Sequence, residues 1–210
     1  MKDKHLVMIG AGISVAVLIA GGVFLAQSGG DGDKFAQCRT GVVAGGAGRL
    51  GGSFTLTDET GARVTDAQVF TKPSLLYFGY TFCPDVCPLD SARNAEATDL
   101  LEERGIDVQP VFISVDPKRD TPEALRDFTD ALHPKMLGLT GSVEEVTAAS
   151  RAWRGFFQIR DEGDPDFYLV DHSTQTYLVL PQDGTVEFFN RDVTPEDMAD
   201  RVACFTAAAG

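Results

Sequence analysis

Residues Leu75–Pro88 read LLYFGYTFCPDVCP. The first part, Leu75 to Tyr80, is continuously apolar and aromatic, as expected of a central strand buried on both faces. Two cysteines follow, Cys83 and Cys87, four positions apart. Pro88 has no amide hydrogen and is tolerated in a helix only in the first turn. The helix therefore opens at the thiols, with Cys87 at its N-terminus. There the macrodipole favours thiolate and lowers the thiol pKa. Pro84 holds Cys83 extended one tight turn earlier. A strand, a turn with two thiols and a helix point either to redox chemistry or to a soft metal.

Working outward, Leu89 to Arg104 is helical and Gly105 closes it as a C-terminal cap. Val108 to Val115 is a second central strand, so the unit is strand–helix–strand and the strands are parallel. Upstream, Phe54 to Thr57 alternates apolar and polar. Asp58 to Gly61 is turn-like, and Val64 to Phe70 completes a hairpin. Downstream, Thr121 caps a helix with Pro122 in its first turn, running to about Leu132. Gly138 to Thr140 is a short strand or a turn. Ser142-Val-Glu-Glu145 is a capping box for a helix to about Arg154. Phe167 to Asp171, Thr176 to Leu180 and Val186 to Phe189 are strands, the last two joined by the turn Gln182-Asp-Gly184. Thr194-Pro-Glu-Asp197 opens a final helix. This order is the thioredoxin plan: α/β, a mixed central sheet flanked by helices. The thiols lie just past a strand's carboxyl end, where open α/β sheets place their sites.

The 210-residue chain carries a formal net charge of -13. Lysines and aspartates balance over residues 1–34, so the globular part holds the whole excess. Phosphate affinity comes from Lys and Arg, which excludes nucleic acid as an expected partner. Leu6 to Ala26 has no charged residue. At the helical rise it reaches about 30 Å, enough to cross a bilayer core. Lys2 and Lys4 precede it, and an acidic, glycine-rich stretch follows. By the positive-inside rule the N-terminus is cytoplasmic and the bulk is exported to the periplasm or an equivalent space. A cleaved signal peptide is the alternative. The expected division is residues 1–27 as cytoplasmic N-terminus and transmembrane anchor, 28–52 as a flexible tether, and 53–210 as the folded domain.

Three residues separate the thiols, where the usual redox signature has two. A purely structural disulfide between them would close a tiny loop and remove little unfolded-state entropy. A third ligand separates metal from redox. His5 precedes the anchor. His133, in LHPKM with Met136, is expected in an exposed turn with a packed methionine. His172, in VDHST, follows an apolar strand and is the histidine expected on the thiols' edge of the sheet. Two thiolates and an imidazole suit Cu(I), and Cu(II) with a further ligand. Zinc would require a fourth ligand.

TFCPDVCP (Thr81 to Pro88), VDPKRDTP (Val115 to Pro122) and YLVDHS (Tyr168 to Ser173), in this order behind an N-terminal anchor, resemble the Sco (SenC) family. The resemblance covers roughly Ser53 to Arg201. It implies a membrane-anchored copper chaperone with a thioredoxin-like fold, serving the dinuclear copper centre of cytochrome c oxidase. By that resemblance Cys83, Cys87 and His172 are the metal ligands. Asp116 and Asp120 match the acidic positions of the middle motif and lie near the site without binding the ion. The partners implied are a copper-accepting oxidase subunit and a copper donor or thiol reductant. Outside the family's motifs stand Cys38 and Cys204, near the two ends of the domain. In an exported protein they form a disulfide, or else remain two free thiols. Two other functions fit the thiols. One is a thiol–disulfide reductase for the oxidase's copper cysteines, using Cys83 and Cys87 without His172. The other is a thiol peroxidase, which needs an anion-stabilising arginine such as Arg119.

The copper reading sets a geometric expectation. The strand around Tyr168 to Val170 should run beside Leu75 to Tyr80. That would bring His172 within roughly 4–7 Å of a cysteine sulfur, a gap that a loop shift could close to a bond of ~2 Å. Asp171 and the neighbouring backbone are expected to orient the ring by accepting its other N–H.

Overall fold

The computed structural model describes residues 33–39, 50–160 and 167–210. The chain divides into Met1–Gln37 and a compact unit, Cys38–Gly210. Among the described residues no helix is long and apolar enough to cross a membrane. The expected span, Leu6 to Ala26, lies outside them.

Strand β3 (Ser74–Gly79) is buried at every position, which is why its sequence shows no alternation. It pairs in parallel with β4 (Gln109–Ser114), and β4 with β5 (Leu137–Thr140). On its other side β3 pairs antiparallel with β8 (Thr176–Leu180), which pairs antiparallel with β9 (Gly184–Phe189). At the far edge β5 pairs antiparallel with β1 (Thr55–Asp58), and β1 with β2 (Arg63–Thr65). The mixed sheet among the described residues thus runs β2-β1-β5-β4-β3-β8-β9. Helices flank it, and the fold is thioredoxin-like. Trp153 centres an aromatic cluster, with Phe54, Phe70 and Phe78 at ring-centroid distances of 6.1, 6.0 and 6.0 Å.

The helices start where local chemistry places them. After the short α1 (Asp66–Val69), α2 (Val86–Glu103) begins with Cys87 and Pro88 in its first turn. Gly105 ends it at φ 76°, a conformation that suits a residue without Cβ. Helix α3 (Pro122–Leu132) is capped by Thr121, whose side chain accepts from the Ala124 N–H. Helix α4 (Val143–Ala152) has the Ser142–Glu145 capping box, and Thr194 caps α5 (Pro195–Ala209). Helix α2 packs on α5 and against β3 and β4. Cys38 and Cys204 are joined as a disulfide, with Cα atoms 5.6 Å apart.

Two readings of the sequence need correction. Val64 to Phe70 is not one strand. Gln68 Oε1 accepts from the Thr65 N–H (2.9 Å) and helps start α1, which ends β2 at Thr65. More consequentially, β7 (Leu169–His172) does not run beside β3. It pairs antiparallel with β6 (Phe157–Arg160), a strand the sequence reading missed, in a separate two-stranded ribbon. The place beside β3 belongs to β8. Burial explains the choice: all five β8 residues are buried, whereas Leu169 of β7 is exposed and Val170 buried. A strand with one wet face cannot lie between two others in a covered sheet.

Candidate metal centre

The site forms where β3 ends. A Cβ on Gly79 would come within 2.8 Å of the Phe112 and Tyr77 rings, so any larger residue here would have to push those rings aside. The Cys83 N–H donates to the Tyr80 carbonyl (3.3 Å), a turn that aims the first thiol back toward the helix start. The Cys87 N–H, in the first turn of α2, donates to Cys83 Sγ (3.4 Å). Neither thiol is in a disulfide. Cys83 is 8% exposed and Cys87 0%.

His172, the last residue of β7, completes the group. Its Nε2 lies 3.2 Å from Cys87 Sγ, closer than the roughly 4–7 Å expected from sequence. The donor atoms of Cys83, Cys87 and His172 all lie within 4.8 Å of one another. The ring's Nδ1 is 2.9 Å from the Ser173 carbonyl. A carbonyl only accepts, so Nδ1 carries the hydrogen and the Nε2 lone pair faces the sulfur. Burial lowers the His172 pKa, keeping the imidazole neutral. The Tyr77 and Tyr80 rings stand perpendicular to it, with centroids at 6.1 and 5.8 Å. Of the two expected partners, the neighbouring backbone takes the ring's other N–H, through the Ser173 carbonyl, and Asp171 does not. Neighbours in a strand point to opposite faces, and Asp171 pairs outward with Arg160 (2.7 Å).

The helix dipole does not decide the thiol pKa values. Burial pushes the Cys87 thiol far up, and nearby Cys83 adds to this. Burial also works to raise Cys83, but the N–H groups of Asp85 and Cys87 outweigh it and bring that thiol below its ordinary value. The more acidic thiol is thus Cys83, before the helix, and not Cys87 within it. Hydrogen bonds to a thiolate favour it, while desolvation disfavours it, and Cys87 is the more deeply buried.

Asp116 and Asp120 sit behind the cysteine loop. Asp120 accepts from the Thr81 N–H (3.0 Å), Thr81 Oγ1 (2.6 Å) and Ser114 Oγ (2.6 Å). Asp116 accepts from Tyr168 Oη (2.6 Å) and Arg119 Nε (2.5 Å). Both carboxylates are engaged away from the sulfurs. Arg119 stacks on Tyr168 and pairs with Asp116, which answers the peroxidase reading: its charge is committed to these partners.

Sequence reasoning passed over Tyr77, Tyr80, Tyr168 and Asp90. Asp90, three residues after Cys87 on α2, accepts from Tyr77 Oη (3.0 Å) and from Arg191 Nε (3.1 Å). An acid one turn after a buried thiol was the available signal. His133, expected in an exposed turn, is 5% exposed. Its Nδ1 accepts from the Lys135 N–H (3.0 Å), so Nε2 carries the hydrogen and donates to Asp99 (3.1 Å). With Lys135 Nζ also 2.9 Å from Glu102, the Asp99–Glu102–His133 group is satisfied internally and does not fit a cation. Met136 is buried in the core, as expected.

A thioredoxin-like domain in which two reduced thiols and a neutral imidazole nitrogen converge out of water is built for a soft ion. Comparison with known proteins agrees. Residues 43–207 match the SCO1/SenC family model. Protein SenC of Rhodobacter capsulatus is 60% identical over 176 residues, 84% of this chain and 79% of that protein. Among solved structures, Arabidopsis thaliana ScoI with copper bound aligns with a TM-score of 0.71 at 41% identity, covering 75% of this chain and 99% of that one. BsSco, described as a member of the Sco family of cytochrome c oxidase assembly proteins, aligns with a TM-score of 0.60 at 26% identity, covering 77% and 94%. The chain belongs to the SCO1/SenC family.

Proposed function

We propose that this protein is a membrane-anchored copper metallochaperone. It takes copper on Cys83, Cys87 and His172 and passes it by ligand exchange to the dinuclear copper centre of cytochrome c oxidase. The observation that carries the reading is the approach of His172 Nε2 to Cys87 Sγ, 3.2 Å, with Cys83 beside them. A redox pair has no need of that imidazole; a soft ion does. The thiols must release their protons to bind, and the neutral imidazole offers its lone pair without a proton to lose. Three ligands leave Cu(I) satisfied yet open to an incoming thiolate, as transfer requires. Nothing is turned over, so the protein is not an enzyme in this role. The anchor is Leu6 to Ala26, with the N-terminus cytoplasmic and the domain on the exported side. The partners are a copper-accepting oxidase subunit and a copper donor or thiol reductant.

The lowered Cys83 pKa supports a second role, since thiolate is the attacking species in thiol–disulfide exchange. As a reductase the pair would keep the oxidase's copper cysteines reduced, and the two roles are compatible because the thiols must be reduced before they bind metal.

The test is to reduce the segment from Phe35 onward and titrate it with Cu(I) and Cu(II) beside His172→Ala, Cys83→Ser and Cys87→Ser. Each serine variant should lose both copper binding and disulfide reduction. His172→Ala should lose copper affinity and keep its thiol reactivity. Parental copper affinity in His172→Ala would remove the chaperone reading and leave the reductase.

A further inference from the structure

The ribbon that carries His172 is not joined to the main sheet by a strand ladder. Strand β7 pairs with β6, and β3 pairs with β4 and β8. The β3–β8 ladder, with Thr176 opposite Tyr77, bounds where His172 can lie through the three residues that join His172 to Thr176, and side chains complete its placement over the thiols. Tyr168, the residue before β7, is gripped twice. Its hydroxyl donates to Asp116 Oδ1 at 2.6 Å. Its ring face carries the Arg119 guanidinium, 3.6 Å from the centroid, while Arg119 Nε donates to Asp116 Oδ2 at 2.5 Å. Asp116 is itself 1% exposed and fixed by its N–H to Ser114 Oγ (2.9 Å). The same loop also holds the cysteine turn. Arg119 lies 4.6 Å from the Phe82 ring centroid, and Asp120 accepts from Thr81. One short segment, Asp116 to Asp120, thus brackets both halves of the metal centre. Closer to the imidazole, the Val170 N–H donates to Tyr80 Oη (3.3 Å).

We propose that Tyr168, clasped by Asp116 and Arg119, is the positioning residue that sets His172 against Cys87. The proposal rests on His172 being a copper ligand for its consequence, but not for its geometry. A strand advances about 3.3 Å per residue, and the Nε2–Sγ distance is 3.2 Å. A slip of one residue at the clasp would thus carry the imidazole out of reach of any ion held by the sulfurs.

The test uses the full chain in detergent, with Tyr168→Phe and, as a second variant, Arg119→Gln. Tyr168→Phe removes one oxygen and keeps the ring, so it opens no cavity. In the metal-free protein, cross-relaxation between the His172 ring and the Tyr77 and Tyr80 rings, read by NMR, should weaken in both variants. Parental intensities in both would overturn the proposal whatever copper does. With Cu(II) added, Tyr168→Phe should lose the nitrogen hyperfine structure of the imidazole. It should also bind copper about tenfold or more weakly, the usual effect of losing a group that orients a ligand. In the His172→Ala background the same change should have no further effect on affinity. An equal loss in both backgrounds would show that Tyr168 acts on the fold and not through His172, and would overturn the proposal. Unchanged copper binding in His172→Ala alone would refute the chaperone reading, while the metal-free NMR would still decide the clasp.

Discussion

Replacing both Cys38 and Cys204 by serine should destabilise the domain mainly through its unfolded state. The two residues are 166 positions apart, so the bridge closes nearly the whole folded unit. In the chain-entropy treatment a loop of that length removes about 17 cal/mol/K from the unfolded chain, or ~5 kcal/mol at 25 °C, an upper figure for real proteins. Domains of this size are stable by roughly 5–15 kcal/mol, so the change would be a large fraction of the total. The folded state should change little. Helix α5 keeps its buried Met198, Ala199, Val202 and Phe205, and the bridge shares no atom with the metal centre. The assay is urea unfolding of residues 35–210 followed by circular dichroism, at mildly acidic pH where thiolate exchange is slow. Two signatures are expected. The midpoint falls, and the m-value rises, because an unbridged chain expands and exposes more surface. Copper binding per folded molecule stays at the parental level. A loss below ~1 kcal/mol with an unchanged m-value would refute the unfolded-state argument, since the loop length alone predicts several times more.

Asp90→Ala should cost about 3–5 kcal/mol in the same assay, because Tyr77 Oη and the buried Arg93 lose their acidic partner; a loss under ~1 kcal/mol would mean that water replaces the carboxylate. Gly79→Ala should lower the thermal midpoint, with overpacking of about 1–3 kcal/mol against Phe112 and Tyr77, and an unchanged midpoint would show that these rings yield freely. Burial raises the Asp120 pKa against the hydrogen bonds from Ser114 and Thr81 that lower it. Its contribution to stability is then full below the ordinary aspartate value and is lost as pH rises through the raised folded value. The stability of the parent relative to Asp120→Asn should accordingly fall across that window, and parallel pH profiles would contradict the assignment.

Much of the scaffold was legible in residues 75–88 and in the caps. Leu75 to Tyr80 shows a strand buried on both faces because apolar and aromatic side chains run through it without polar alternation. Pro88, Thr121, Ser142 and Thr194 mark helix starts, and Gly105 a helix end, because backbone hydrogen bonding at helix ends is a matter of a few adjacent residues. Cys83, Cys87 and His172 could be singled out as a candidate donor set because soft-donor chemistry resides in the side chain itself, and the resemblance to the family pointed to the same three; the structure brings their donor atoms within 4.8 Å of one another. What tertiary structure decided was everything that depends on distant neighbours. Strand pairing is a contest among all available edges: β8 took the place beside β3 and sent β7 to β6, although both read as strands. The more acidic thiol is Cys83 because desolvation and hydrogen bonding depend on what surrounds each sulfur. Of Asp171 and the neighbouring backbone, both expected from sequence, only the backbone, at the Ser173 carbonyl, holds the His172 ring, because pairing with β6 fixed which face of β7 turns inward. His133 is buried, and α2 lies close enough to bring Asp99 against its ring. Local sequence specifies the dihedral preferences and the chemistry a residue carries. Its dielectric surroundings and its partners across space exist only once the chain has closed on itself.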